Sequence, residues 1–232
     1  MANTRGVFRL SYIREEKIPL YGWVSLSDVW IAPSPLSAPN TGYFGGGFVG
    51  PLSSMEKVTY SSDTTAQVPG AALSFTKGSL AATGSSSAGY FGGGLGPGTP
   101  GYYSTMDKVI YSTDIRVTVP SASLSLARGA LGATGNSTAG YFGGGAVTAP
   151  LTSSTMDKVT YSSDTTAAVP GAALSGARRY LTATGNSTAG YFGGGGPGPL
   201  SSMDKITYSS DTRVAVPGAA LSVARLCLSA SG

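Results

Sequence analysis

The sequence predicts an all-β fold in which one short antiparallel sheet is built four times. The first observation is repetition, because the string GYFGGG begins at Gly42, Gly89, Gly140 and Gly190, at steps of 47, 51 and 50 residues. The second is that short apolar segments alternate with turn residues at intervals of about ten residues. The third is that no segment sustains the 3.6-residue period of an amphipathic helix, so we expect almost no helix.

Each copy of the repeat predicts four strands. An apolar pair such as residues 43–44 enters the glycine triplet, where backbones can approach closely. Residues 158–161 alternate polar and apolar side chains, as a half-buried strand does. A Ser-Ser-Asp-Thr turn at 162–165 leads to a third strand at 167–169, and residues 180–184 give a fourth. Four strands in a repeat of about 40–50 residues predict the blade of a small β-propeller.

One loop of the repeat absorbs all of its variation in length. Between the glycine triplet and the following methionine lie 7, 11, 10 and 7 residues in the four copies, and the rest of each step is 40 residues long. In repeat proteins, insertions of this kind map to loops on one face, which is often the binding face.

The two ends of the repeat array complement each other. The first copy begins at its GYFGGG strand, and the chain ends with residues 225–232, which match the strand that the first copy lacks. We therefore expect the C-terminal segment to complete the first sheet and close a ring of four blades. A ring of eight blades made by two chains is the alternative.

The order of residues within a copy resembles the kelch repeat. Kelch repeats carry a glycine pair after an apolar strand, then a tyrosine, a proline and an arginine. Here the triplet 193–195, Tyr208, Pro217 and Arg225 fall in that order. The pattern departs at the tryptophan that follows the tyrosine in kelch repeats, where this chain has small aliphatic residues. The resemblance, which runs from residue 41 to the end, implies a kelch-like β-propeller whose core is filled by Tyr, Phe, Val and Leu.

The amino-acid sequence of the repeat also resembles repeats in virion structural proteins of tailed phages, in particular cyanophages. The shared pattern is GYFGGG, then MDKVTYSSDTTAAVPGAALS, then ATGNSTAGYFGGG, and openings in that family resemble residues 4–8 and 27–30. The resemblance implies a tail or capsid-surface appendage that decorates the particle in several copies and is assembled in the host cytoplasm. The alternatives are a bacterial kelch-like module for protein–protein interaction and a glycan-binding lectin.

Residues 1–40 lie outside the repeat and carry both tryptophans of the chain. A segment this short cannot bury its aromatic side chains by itself, so it either packs beneath the propeller or docks on another protein. Aromatic residues are common interface anchors. We expect this arm, with its proline-rich linker, to dock on other virion proteins. The candidate docking residues are Phe8, Tyr12, Trp23 and Trp30.

The composition excludes most catalytic chemistry. The chain has no histidine, which removes the usual general base and the commonest metal ligand, and its single cysteine, Cys227, has no partner. The glycine runs lack the Lys-Ser/Thr ending of a phosphate loop. We therefore expect no enzyme activity, catalytic residue, metal or cofactor. The net charge of +4 without a cationic cluster predicts no nucleic-acid partner, and no apolar run is long enough to predict a membrane partner.

Two sets of acidic residues recur in every copy. A catalytic carboxylate pair normally breaks the symmetry of a repeat, so we interpret both sets as structural, through turn formation and pairing with lysine. The first set adjoins a lysine, and the second lies in the serine-rich turn. They are Glu56, Asp107, Asp157 and Asp204, and Asp63, Asp114, Asp164 and Asp211.

A recurring set of basic residues is the candidate anion-binding or glycan-binding surface. Lys77, Arg128, Arg178 and Arg225 occupy one position of the repeat and would lie on one face of a fourfold ring. The alternative is that they bond carbonyl groups between blades, for which the guanidinium group is well suited. Arg116 and Arg213 recur in the second and fourth copies only. Tyr102 and Tyr103, in the longest variable loop, are candidates for stacking on a sugar ring.

Overall fold

The computed structural model of the chain describes residues 40–47, 52–97, 101–148 and 152–231. Four short antiparallel sheets follow one another along these residues, which confirms the all-β prediction. The helical pieces in the described ranges are four three-residue 3-10 turns, each beginning at the proline of a Val-Pro pair. No helix in the described part of the chain is long and apolar enough to cross a bilayer.

The first sheet has three strands, and each of the other three has four. In every sheet, strands that follow one another in sequence pair antiparallel, so each sheet is a meander. The strands of the first two sheets are β1 (Thr41–Gly45), β2 (Met55–Thr59), β3 (Thr64–Gln67), β4 (Ala81–Gly84), β5 (Ala88–Gly92), β6 (Met106–Ile110) and β7 (Ile115–Thr118). Those of the last two are β8 (Gly132–Gly135), β9 (Ala139–Gly143), β10 (Met156–Thr160), β11 (Thr165–Ala168), β12 (Thr182–Gly185), β13 (Ala189–Gly193), β14 (Met203–Thr207) and β15 (Thr212–Ala215).

The sheets share one register and follow one another in space. In the third sheet Asp157 lies opposite Phe142 and Lys158 opposite Tyr141, and the corresponding residues pair in the other sheets. The first strands of the four-stranded sheets lie side by side, because β8 contacts both β4 and β12. This is a propeller-like arrangement, in which each sheet packs its face against the next.

The hydrophobic core lies between consecutive sheets. Three clusters of buried residues each combine side chains from one sheet with a phenylalanine and an aliphatic residue of the next. Between the third and fourth sheets, for example, Tyr141, Met156 and Leu174 pack with Phe192 and Ile206. Full burial of such a side chain contributes about 1.5–3 kcal/mol, so the junctions between sheets carry most of the stabilisation.

The glycine triplet is required because the next repeat comes too close for a side chain. Gly144 has a φ of +68°, and a Cβ atom on it would lie 2.7 Å from the carbonyl oxygen of Arg178. Gly145 donates its N–H to the same carbonyl at 2.8 Å. The equivalent glycines of the other copies approach the carbonyl groups of Lys77, Arg128 and Arg225 equally closely and donate an N–H to them.

The C-terminal segment does not pair with the first sheet, so the predicted ring of four blades is not formed within the described residues. Here β1 pairs with β2 alone. Residues 225–231 pack instead on the fourth sheet, where the Cys227 N–H donates to the Tyr180 carbonyl at 2.9 Å and the Thr184 hydroxyl donates to the Ser231 carbonyl at 2.9 Å. The reason is that this segment continues a series of contacts made earlier in the chain, in which the Ala130 N–H donates to the Ser79 carbonyl at 2.7 Å and the Tyr180 N–H donates to the Ala130 carbonyl at 2.8 Å.

Candidate functional site

Three of the four basic residues predicted to form a surface ring are buried inside the junctions. Lys77 and Arg128 are fully buried, and Arg178 is 1% exposed. Each pairs with a buried aspartate of the following sheet: Lys77 Nζ lies 3.2 Å from Asp107 and Arg128 Nη2 lies 2.9 Å from Asp157. The sequence-based expectation of an anion-binding face is therefore corrected for these residues, because their charges are already neutralised within the fold.

The Arg178 side chain makes several of the polar contacts in the junction between the third and fourth sheets. Its guanidinium group contacts the Asp204 carboxylate, and its Nη1 donates to the Ser202 hydroxyl at 2.9 Å and the Ser202 carbonyl at 3.2 Å. Burial lowers the pKa of Arg178, and the nearby Asp204 carboxylate opposes that effect. Asp204 also accepts the N–H and hydroxyl of Ser175 at 3.0 Å. The sequence-based alternative, carbonyl bonds from one repeat to the next, holds for Arg128 and Arg178, whereas Lys77 bonds the Thr105 hydroxyl and Asp107.

The two arginines that occur in alternate copies reach the second oxygen of the buried carboxylate. Arg116 Nη1 lies 3.6 Å from Asp107 Oδ1, and Arg213 Nη1 lies 3.4 Å from Asp204 Oδ1. In the third copy the corresponding residue is Thr166, whose hydroxyl donates to the Ala122 carbonyl instead. Asp157 Oδ1 consequently has no hydrogen-bond partner among the described residues.

A second recurring unit, of two tyrosines, a lysine and an aspartate, joins each sheet to the next. Between the third and fourth sheets, Tyr141 stacks on Tyr208 with ring centroids 4.8 Å apart, its hydroxyl contacts the Asp211 carboxylate, and Lys158 Nζ lies 2.8 Å from Asp211. The turn aspartate therefore binds the preceding sheet. Its φ of +52° also places it in the left-handed region that turns require. The two corresponding units contain Tyr43, Lys57, Tyr111 and Asp114, and Tyr90, Lys108, Tyr161 and Asp164.

This unit shifts the ionisation of its members. Burial and the bond to aspartate raise the pKa of Tyr43, Tyr90 and Tyr141 above the usual value of 10.0, and burial raises the pKa of Tyr161 to about 12. Burial tends to raise the pKa of Asp114, but hydrogen bonds from Lys57 and Tyr43 outweigh it and lower that pKa. The expected pairing of the acidic residues with lysine is therefore found, but between sheets: Lys57, Lys108 and Lys158 each bond the turn aspartate of the following sheet.

A tyrosine of the longest variable loop stacks on a phenylalanine that lies outside it. The Tyr103 ring stacks on Phe75 at a centroid distance of 5.2 Å and an interplanar angle of 7°, and Phe75 is 46% exposed. Tyr102 bridges to Leu95, and both Tyr102 and Tyr103 are half-buried. Sequence analysis missed Phe75, although it is visible as the single aromatic at its position. The other copies carry Leu126, Gly176 and Val223 there.

An open cleft of about 480 Å³ lies between the second and third sheets. It is lined by the hairpin turns at 85–87 and 137–139, by the Lys158 ammonium group and by the hydroxyl-bearing residues 160–162. Between the third and fourth sheets the corresponding turns are tied together, because the Asn136 amide donates to the Ser187 carbonyl at 3.3 Å. Ser85 replaces that asparagine and has no amide to reach across, which accounts for the open cleft.

Arg225 and the aromatic residues of the N-terminal arm are the predicted site residues that remain. Arg225 is exposed, unlike the other three members of its set. Phe8, Tyr12, Trp23 and Trp30 lie outside the described residues. Within the described ranges, no group of three or more acidic or cysteine side chains could hold a metal ion. No protein-family model matches the chain, and a comparison with curated proteins finds no match.

Proposed function

We propose that this chain is a non-enzymatic structural protein of a tailed-phage virion, docked by residues 1–40 and displaying a kelch-like propeller array that binds host-surface glycan. The observation that carries the proposal is the Phe75–Tyr103 stack beside the longest variable loop. In this pair Phe75 is 46% exposed and Tyr103 is half-buried, and the pair lies where an otherwise uniform repeat varies in length.

The recurring charged groups support a display role. In the three junctions, the buried acidic residues are engaged by Lys77, Arg128 and Arg178, and the turn aspartates by lysine and tyrosine. Groups held in this way stabilise the scaffold and are not free to accept or donate a proton to a substrate. Variation is left to the loops and to single departures such as Phe75 and Ser85.

The aromatic pair has the chemistry of a sugar-binding platform. One face of a pyranose ring consists largely of C–H groups, and it packs on the face of an aromatic side chain while the hydroxyl groups remain free for hydrogen bonds. Phe75 and Tyr103 present such a surface. Gly96 permits it, because a Cβ atom there would lie 2.5 Å from the Tyr103 ring.

A glycan array tests the binding role. The full chain should bind a subset of bacterial surface glycans, and Phe75→Ala combined with Tyr103→Ala should abolish that binding. The matched control is Val223→Ala, which truncates the exposed residue at the same repeat position and should leave binding unchanged. Equal binding by the double variant and the parent would contradict the proposed site.

Particle incorporation tests the docking role. Replacing Phe8, Tyr12, Trp23 and Trp30 by serine in the full chain should greatly reduce the amount of protein found in purified particles, since aromatic anchors dominate interfaces. The Phe75→Ala and Tyr103→Ala chain, whose arm is intact, should be incorporated at the parental level. Unchanged incorporation of the serine variant would defeat the docking proposal.

A further inference from the structure

We propose that the two ends of the repeat array bind each other between two copies of this chain, head to tail, through a junction of the same chemistry as the three junctions inside the chain. The leading end is defined as Phe44, Glu56, Tyr60 and Asp63 of the first sheet. The trailing end is defined as Tyr191, Gly193, Lys205 and Arg225 of the fourth sheet and the C-terminal segment. This inference is independent of the proposed glycan binding.

The leading end exposes residues whose counterparts in the later copies are buried or half-buried. Phe44 is 68% exposed, whereas Phe91, Phe142 and Phe192 are at most 5% exposed. Tyr60 is 56% exposed, whereas its counterpart Tyr208 is 6% exposed. The acidic residues behave in the same way. Glu56 and Asp63 are exposed, whereas Asp107, Asp157 and Asp204 are fully buried and Asp114, Asp164 and Asp211 are half-buried.

The trailing end holds the other half of the same junction. The Arg225 carbonyl accepts the Gly195 N–H at 2.9 Å, just as the Arg178 carbonyl accepts the Gly145 N–H, so its backbone is already in the junction position. Its side chain is exposed and donates only to the Val223 carbonyl, at 3.2 Å. No carboxylate among the described residues lies within salt-bridge distance of Arg225.

The tyrosine–lysine half of the second unit is also in place at the trailing end. Lys205 Nζ lies 5.9 Å from the centre of the Tyr191 ring, close to the 5.6 Å between Lys158 and Tyr141. The described residues provide Tyr191 with no stacked tyrosine and Lys205 with no aspartate. Gly193 likewise meets Met203 but no phenylalanine ring, whereas Gly143 meets both Met156 and Phe192.

The missing partners of one end are the exposed residues of the other. By repeat position, Arg225 would pair with Glu56 of the second copy in the way that Arg178 pairs with Asp204. Lys205 would pair with Asp63 in the way that Lys158 pairs with Asp211. Tyr191 would stack on Tyr60, and Phe44 would cover Gly193. Two cations at one end thus face two carboxylates at the other, which gives the contact its direction and specificity.

The free edge of the first sheet completes the match. Strands β4, β8 and β12 pair with β5, β9 and β13, but the outer edge of β1 has no partner strand among the described residues. A cavity of about 280 Å³ lies beside it, and its lining consists of small residues together with Tyr43, Phe44, Leu80 and Phe91. Residues 229–231 correspond to β12 and are small, so we infer that they add a strand to β1 of the second copy.

Within the described residues the two ends do not meet, so we assign the contact to a second copy. The C-terminal segment is held on its own fourth sheet by the Cys227–Tyr180 and Thr184–Ser231 hydrogen bonds. An exposed strand edge has unpaired N–H and C=O groups that can pair with a strand of another chain, and the exposed phenylalanine beside it would be buried by that contact. A head-to-tail contact buries the leading end of one copy against the trailing end of the other, with the same kinds of bond that form the junctions inside the chain.

Charge reversal tests the contact in the full chain. Lys205→Glu with Arg225→Glu reverses the trailing end, and Glu56→Lys with Asp63→Lys reverses the leading end. Each variant alone should associate about 100-fold more weakly than the parent, as measured by light scattering across a concentration series. An equal mixture of the two variants should associate again, because each variant then offers the charges that the other needs. A parent that stays monomeric, or variants that associate as well as the parent, would overturn the proposal.

Carbodiimide coupling shows which chain supplies each group. This reagent joins a lysine amine to a carboxylate in contact with it, so Lys108–Asp164 and Lys158–Asp211 should couple within one chain and serve as positive controls. In a mixture of 14N- and 15N-labelled protein, the Lys205–Asp63 product should contain peptides of mixed label. A product without mixed label, or no Lys205–Asp63 product while the controls couple, would overturn the proposal.

Discussion

The first and third sheets have nearly the same sequence but very different environments. Strand β2 reads MEKVT and β10 reads MDKVT, yet Val58 is half-buried and Val159 is fully buried. The contrast is larger for Phe44 and Phe142, which are 68% and 0% exposed. Among the described residues, the third sheet has a neighbouring sheet on each side, whereas the first has a neighbour on one side only. Burial in this protein is therefore a property of a junction and not of a repeat.

It follows that a single repeat cannot be a stable unit. The polar residues of each junction come from two consecutive copies, and so do the aromatic residues that cover its core. In arrays of this kind, stability is close to a sum of nearest-neighbour terms. Matched substitutions at equivalent positions separate the contribution of the junction from that of the residue itself.

The largest expected difference comes from the phenylalanine position. Phe142→Ala should lower the free energy of unfolding by about 3–5 kcal/mol, because it removes a fully buried ring. Phe44→Ala should change it by about 0.5 kcal/mol or less. Both are measured by urea unfolding in the Lys205→Glu, Arg225→Glu background, so that Phe44 remains exposed. Equal losses at the two positions would show that burial does not decide the cost.

Adjacent arginines provide the next test. Arg178→Ala leaves the fully buried Asp204 with only the more distant Arg213 and should cost about 3 kcal/mol. Arg179→Ala removes the same charge from a half-buried side chain that packs over Tyr180 and should cost about 0.5–1 kcal/mol. Thermal or urea unfolding measures both. A loss from Arg178→Ala no greater than that from its neighbour would contradict the central role of the ion pair.

A smaller effect is expected at the glycine that approaches the next repeat. Gly144→Ala should destabilise by about 1–3 kcal/mol, because the new Cβ atom would lie 2.7 Å from the Arg178 carbonyl oxygen at a φ of +68°. Gly176→Ala is the control, since nothing lies within 4 Å of its added atom. It should be neutral or stabilise by about 0.4–1 kcal/mol. Calorimetric melting curves measure both effects. A neutral Gly144→Ala or a destabilising Gly176→Ala would contradict the prediction.

The smallest effect concerns one hydroxyl group and its pH dependence. Tyr141→Phe should cost about 1 kcal/mol at neutral pH by removing the bond to Asp211, whereas Tyr191→Phe should cost almost nothing. Because the folded pKa of Tyr141 is raised, its contribution is present below pH 10 and is lost as pH rises from the ordinary value of 10.0 towards the folded pKa. Urea unfolding between pH 8 and 11.5 should show a shallower alkaline decline for Tyr141→Phe than for the parent. Identical declines would indicate that Tyr141 ionises freely.

Much of the fold was predictable because the same pattern of strand and turn residues occurs in four copies. The number of sheets, their strand content and the turn role of the aspartates all follow from positions that recur. Exact strand limits were less accurate: the strand expected at 180–184 is β12, which spans Thr182–Gly185. Tyr180 cannot belong to it, because its φ is +56° and its carbonyl is used by the next repeat.

The site was harder to predict, since recurrence does not tell on which side of a sheet a residue lies. Arg128 and Arg178 share one repeat position, which predicted either one exposed face of a fourfold ring or carbonyl bonds between blades. The position alone could not decide between these, because the buried aspartate that neutralises each arginine is 26 to 29 residues away in sequence. Departures from the repeat were the more useful signal. Phe75 and Ser85 both break the pattern, and each lies at a feature that the other copies lack.

The uniform junction also bears on how such a chain can change over generations. The third and fourth copies share the identical thirteen-residue string ATGNSTAGYFGGG. An unequal exchange between such stretches of the gene would add or remove one whole copy. Every new junction would still find its arginine, aspartate and paired tyrosines, because each copy brings half of what its neighbours need. The array can therefore lengthen or shorten by recombination without new contacts having to evolve.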